Sequence, residues 1–198
     1  MSDVVAIKGR HQVPERQPRD SASYATVTWA ITATIALALV AMIVAAPLAE
    51  ANGHARFAHT IYKVFSFVCH QIPERSFHLA GHQFAVCSRC TGLYSGFAVA
   101  VLIYPLARSL TRTDAPRRRW LILAAVPLLI DFSLTYFGLW SNTHLTRFLT
   151  GALLGAVAVF YVMPGLVELS SAVTRRFGRR KRLNSRGQPD DYSNSRII

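Results

Sequence analysis

Acidic residues are scarce in this chain: 10 Asp and Glu stand against 22 Lys and Arg, and all charged residues together make up only 16% of the 198 positions. So little charge beside 52% hydrophobic residues excludes an ordinary solvated surface over most of the chain. Apolar blocks alternate with arginine-rich connectors, the pattern of a multi-pass membrane protein. The formal net charge of +12 is therefore assigned to topology, not to nucleic-acid binding. Cysteine is nearly absent too. Its three copies, Cys69, Cys87 and Cys90, form one Cys-x-x-Cys pair and one extra thiol. An odd number leaves one thiol outside any single disulfide, and the lack of a second Cys-x-x-Cys excludes a standard zinc ribbon. No internal repeat is present, which excludes repeat arrays.

Four segments approach the ~20 apolar residues needed to cross a bilayer. They run from about Val27 to Leu48, Thr91 to Leu106, Trp120 to Trp140 and Phe148 to Leu166. The second is short, so it starts earlier or is tilted. Trp29, Trp120 and Trp140 lie near span ends, where indole rings favour the interface. Basic residues concentrate before the first span, between the second and third (Arg108, Arg112, Arg117, Arg118, Arg119), and after the fourth, from Arg175 onward. Positive charge holds such segments in the cytoplasm, so both termini are expected there, in an inner (cell) membrane, with the cysteine loop facing outward. Ala49-Glu50-Ala51 reads as a small-x-small cleavage site, but the apolar run before it is too long for a signal peptide, and an uncleaved anchor is expected.

The expected architecture is therefore an all-α membrane protein, a four-transmembrane-helix bundle with an outward Cys/His loop between helices 1 and 2. Residues 1–23 form a disordered basic leader, 24–170 the membrane domain with its loop at 50–90, and 171–198 a basic cytoplasmic tail suited to anionic lipid. Phe57, Ile61, Val64, Phe65 and Val68 recur at helical spacing, which predicts an interfacial amphipathic helix inside the loop. Pro73 then breaks the chain and Gly81 gives a turn.

Three chemistries fit the loop. Cys69, Cys87 and Cys90 with one histidine make a Cys3His shell for zinc or another soft-ligand metal. His78 and His82 have easier geometry for this than His70, which adjoins Cys69. The Cys87–Cys90 pair also suits thiol–disulfide exchange, because an outward loop faces an oxidising compartment and Arg89 lowers a neighbouring thiol pKa. The third reading is a staple that only stabilises the loop. Arg75 and Arg89 are further candidates to bind an anion such as phosphate or carboxylate.

Inside the membrane, Asp131 lies midway along the third span. A carboxylate there is costly and faces the bundle or water; Arg147 is its expected partner. Gly92-x-x-x-Gly96 and Gly151-x-x-x-Gly155 predict close approach of the second and fourth spans, with Asp131 and Arg147 beneath the cysteine loop. Asp131, Arg147 and Arg89 are the candidate catalytic residues.

Cys69-His70-Gln71, Arg75-Ser76-Phe77, Gly81-x-Gln83 and Cys87-x-Arg89-Cys90-Thr91-Gly92-x-Tyr94-x-Gly96 together resemble the signature of the prokaryotic membrane proteins called domain of unknown function 2085. Asp131, Asn142, Arg147, Thr150, Gly151 and Gly155 resemble its second block. The resemblance spans about Ala58 to Gly155 and implies an integral membrane protein. It includes His70 but fixes neither His78 nor His82, which favours His70 as the histidine ligand and leaves His82 as the alternative. Three function classes follow. The first is a membrane enzyme or metal-binding protein, the second a thiol–disulfide oxidoreductase using Cys87 and Cys90, and the third an assembly subunit with structural cysteines.

Overall fold

The computed structural model describes residues 18–186. Helix α1 (Pro18–Ala51) leads into α2 (Ala55–Phe65), a 3-10 turn (Pro73–Arg75) and a hairpin of β1 (His78–Leu79) and β2 (His82–Gln83). Three helices follow: α3 (Ser88–Ala107), α4 (Arg119–Tyr136) and α5 (His144–Arg186). Four of these helices are long and apolar enough to span a bilayer, over 22–51, 88–107, 119–136 and 144–174. The fold is thus the expected all-α membrane bundle. The Cys/His segment lies between the first two spans but joins α2 to α3, because a helix does form within the loop; it ends at Phe65, short of Val68, and buries Ile61 and Phe65 while Phe57 and Val64 stay exposed.

The span limits differ from expectation in instructive ways. α3 begins at Ser88, so Arg89 and Cys90 sit in the first turn of a membrane helix and not in the loop above it. α4 stops at Tyr136, where Gly138 turns the chain with φ of 69°. α5 continues unbroken to Arg186, beyond the limit expected for the membrane domain. Residues 1–17 of the leader and 187–198 of the tail lie outside the described residues; residues 18–23, expected in the disordered leader, form the start of α1 instead.

α3 and α5 run parallel and pack through their paired glycines. A Cβ at Gly92 would land on the carbonyl of Phe148, and one at Gly96 on that of Ala152; Gly151 and Gly155 meet the carbonyls of Arg89 and Leu93 in the same way. Only hydrogen at these four positions lets the two backbones touch. Around this pair, Ala25, Ala33 and Ala36 of α1 join Val101, Tyr104, Val159 and Met163 in one buried cluster. Ile43 and Ala46 form a second cluster with Ile61, Phe65, Cys69, Ala85 and Val86 at the cysteine end.

Two prolines turn a local defect into a tertiary contact. Proline lacks the N–H that would bond the carbonyl four residues earlier. Pro47 in α1 thus frees the carbonyl of Ile43, which accepts from the Ala85 N–H at 3.3 Å. Pro105 in α3 frees that of Val101, which accepts from the Trp29 indole Nε1 at 2.7 Å. In lipid a freed carbonyl has no water to turn to, so these bonds fix the loop to α1 and α1 to α3. α4 is the least embedded span: Ala124 alone is buried, while Ile122, Leu123, Leu129 and Ile130 are exposed, the condition of a lipid-facing helix.

Candidate metal centre and adjoining cavity

The cysteine segment is held by its own polar side chains. Gln71, in the left-handed region at φ 51°, donates its amide to the carbonyls of Tyr62 at 2.8 Å and Ala85 at 2.7 Å. It thereby clamps the end of α2 to the segment between β2 and α3. The buried Ser76 hydroxyl donates to the Ile72 carbonyl at 2.9 Å and tightens the 3-10 turn. Phe77 packs against Phe84, His144 and Phe148, with ring centroids 5.9, 5.7 and 6.0 Å away. The hairpin closes through Ala80 and Gly81, both at positive φ, the geometry of a two-residue hairpin turn. Ser88 and His144, at the starts of α3 and α5, share a 2.9 Å hydrogen bond between Oγ and Nδ1.

These constraints bring the three cysteines together. Cys87 caps α3 in an extended conformation, Cys90 lies one turn on, and buried Cys69 arrives from the end of α2. Their sulfurs all lie within 4.8 Å of one another, and all three thiols are free. Tetrahedral zinc with Zn–S bonds of ~2.3 Å spaces its sulfurs at roughly 3.8 Å, so the trio fits one coordination sphere after small side-chain shifts. The backbone N–H of Cys87 donates to the Cys69 sulfur at 3.2 Å. Hydrogen bonding to the Cys69 and Cys90 sulfurs holds the Cys87 thiol well below the usual thiol range.

The histidines separate. His70 is exposed and lines the cavity that the cysteines face, but its ring nitrogens fall outside the sulfur group. His78 is exposed on β1. His82 lines a different cavity, with Glu50, His59 and Tyr62.

Cys69, Cys87 and Cys90 open onto a cavity of about 280 Å³ that also receives Arg75, Arg89 and Arg147, with Phe132 and Tyr136 on one wall. Asp131 does face the bundle, but its partner is Arg89, at 2.5 Å, in place of the expected Arg147. The early start of α3 explains the difference, because it brings Arg89 down beside the carboxylate. Asn142 donates to the Asp131 backbone carbonyl at 2.8 Å and ties the exit of α4 to the same residue. Arg147 points into the cavity and, like Arg75, has no ion-pair or hydrogen-bond partner for its guanidinium among the described residues. Residue chemistry alone singles out neither Gln71 nor Phe77, which stand only inside the motifs that carry the resemblance, and nothing in the spacing pairs Ser88 with His144.

Four apolar spans with a trithiol cluster at one end of the bundle define a class of multi-pass membrane protein with a cysteine-rich mouth. Within that class, the chain belongs to the family described as "Predicted membrane protein (DUF2085)", which matches residues 69–161. An uncharacterised protein of Methanocaldococcus jannaschii is 39% identical over 109 residues, 55% of this chain and 70% of that protein. A second uncharacterised protein, from Methanothermobacter thermautotrophicus, is 38% identical over 87 residues, 44% of this chain and 77% of its own length. No solved structure matches the chain.

Proposed function

We propose that this protein is a membrane metal-binding protein in which Cys69, Cys87 and Cys90 hold zinc or another soft-ligand metal on the outward side of the cell membrane. The observation that carries this reading is the convergence of three free sulfurs, from two separate segments, within 4.8 Å. A staple needs only two cysteines; three thiolates make a donor set for a soft metal. His70 is the protein candidate for the fourth position, and otherwise that position faces the arginine-lined cavity. Asp131 orients Arg89 beside the cluster, and Arg147 completes the polar wall, so these three residues are assigned to the site's binding or chemistry. The arginine-rich connectors and α5 extension support cytoplasmic termini, and the burial of α1 residues in the core supports its retention as an anchor.

The thiol–disulfide reading is favoured by one observation: Cys87 and Cys90 occupy the N-terminus of a helix, where a thiolate is stabilised. Metal analysis of the full chain purified in detergent separates the two. About one zinc or copper per chain, lost in Cys69→Ser, supports the metal site. Absence of metal together with a reversible Cys87–Cys90 disulfide in the cell overturns it in favour of exchange.

A further inference from the structure

We infer that the cavity beside the cysteines binds a phosphate-type oxyanion, held by Arg75, Arg89 and Arg147. This deepens the site proposed above and rests on that reading for the state of the cysteines. Three guanidinium groups reach one 280 Å³ cavity from three segments: the 3-10 turn, the first turn of α3 and the first turn of α5. Like charges do not gather at a membrane boundary without compensation. Among the described residues only Arg89 of the three has a counter-ion, Asp131, and the Arg89 Nε is buried without a hydrogen-bond partner there. Arg147 is half-buried and Arg75 exposed, and both are unpaired among the described residues.

A charge ledger fixes the sign of the missing group. Zinc bound by three thiolates carries one net negative charge, and Asp131 carries another. Three guanidiniums exceed these by one positive charge, which one anion balances. α3 and α5 also both begin at this rim, tied by the Ser88–His144 bond, so two helix N-termini add positive potential. Guanidinium forks match the paired oxygens of a phosphate, and the Phe132 and Tyr136 wall accepts an apolar substituent on it. The phosphate comes either from a soluble solute or from a lipid headgroup, and the assay must separate them.

The test uses the metal-loaded full chain in a neutral detergent. Thermal unfolding is followed while inorganic phosphate is titrated against potassium chloride of equal ionic strength. A parallel series uses nanodiscs of phosphatidylcholine with and without phosphatidylglycerol. The expected result is saturable stabilisation by phosphate or by the anionic lipid, whichever is the source. Arg75→Gln and Arg147→Gln should each weaken it by about 10- to 100-fold, the loss of one charge-assisted hydrogen bond. Arg147→Lys, which keeps the charge but loses the fork, should fall between wild type and Arg147→Gln. Metal content, measured in every sample, should not change; it also reports that the variants fold. Stabilisation by neither source, or equal stabilisation in wild type and the Arg75→Gln/Arg147→Gln double variant, overturns the proposal. Arginine-dependent binding in a chain that holds no metal would sink the metal reading and leave the oxyanion site standing.

Discussion

Asp131→Leu and Asp131→Asn should destabilise the bundle by different amounts, and the difference measures the Arg89 ion pair. The contact is 2.5 Å long, with side-chain exposure of 11% for Asp131 and 24% for Arg89. Leucine removes the acceptor and strands a guanidinium whose Nε already lacks a partner. Breaking a buried pair in this way costs about 3–5 kcal/mol. The low end, ~3 kcal/mol, applies here, because Arg89 is a quarter exposed in the first turn of α3 and can snorkel to water. Asparagine keeps a carbonyl oxygen and loses the charge. A charge-assisted bond is about twice as strong as a neutral one, so ~1 kcal/mol is expected. A double-mutant cycle with Arg89→Gln should return a coupling of about 1.5–3 kcal/mol, and one with Arg147→Gln about 0.3–0.5 kcal/mol or less. Reversible unfolding in mixed micelles, followed by helical circular dichroism, supplies the free energies. Equal losses for Asn and Leu, or a larger coupling to Arg147 than to Arg89, would refute the assignment.

Serine at any of positions 69, 87 or 90 should cut bound metal at least tenfold, read by elemental analysis; His70→Ala should lower affinity without abolishing binding if the ring swings in as the fourth ligand. In metal-free protein the depressed thiol of Cys87 keeps its thiolate as the pH falls, so its alkylation should stay flat from alkaline to mildly acidic pH. An unshifted thiol slows about tenfold per pH unit below about 8.5, and that behaviour at Cys87, read by mass spectrometry, would contradict the hydrogen-bonded trio. Gly151→Leu should prevent stable folding, because its side chain would occupy the place of the Arg89 carbonyl, whereas Gly165→Leu, with open space around it, should cost under about 1 kcal/mol by the same unfolding assay. Fusions of an enzyme active only outside the cytoplasm should report activity after residue 80 and none after residue 185; the reverse pattern would invert the topology.

The membrane bundle was legible because it rests on composition. The contact of α3 with α5 was legible because glycines four apart cut a bare strip along one helix face, and two such strips fit each other. The amphipathic helix and the Pro73 and Gly81 turns followed from periodicity and backbone constraint. The convergence of Cys69 with the Cys-x-x-Cys pair was an expectation from chemistry, and the fold supplies the means through Gln71 and the Phe77 contacts. What stayed hidden was the depth of each residue along its helix. Hydropathy placed the start of the second span at Thr91, since Ser88, Arg89 and Cys90 are not apolar, and so left Arg89 out of reach of Asp131. The roles of Pro47 and Pro105 were hidden for a different reason. A proline reveals which carbonyl it frees, but its new donor, Ala85 or Trp29, is fixed only by tertiary packing.

The parallel pairing of α3 with α5 sets an order on biogenesis. α3 carries Cys90 and Arg89, but the glycine seat it needs, together with Arg147, is on α5, which leaves the ribosome after both α3 and α4. Until α5 inserts, the cysteine segment has no Phe148 beneath Phe77 and no His144 to bridge Ser88. The nascent chain therefore passes through a stage in which α3 lacks the glycine face it packs against. The cysteine segment thus gains its full set of contacts only after α5 is made, and a chain cut short in the first turns of α5 lacks them.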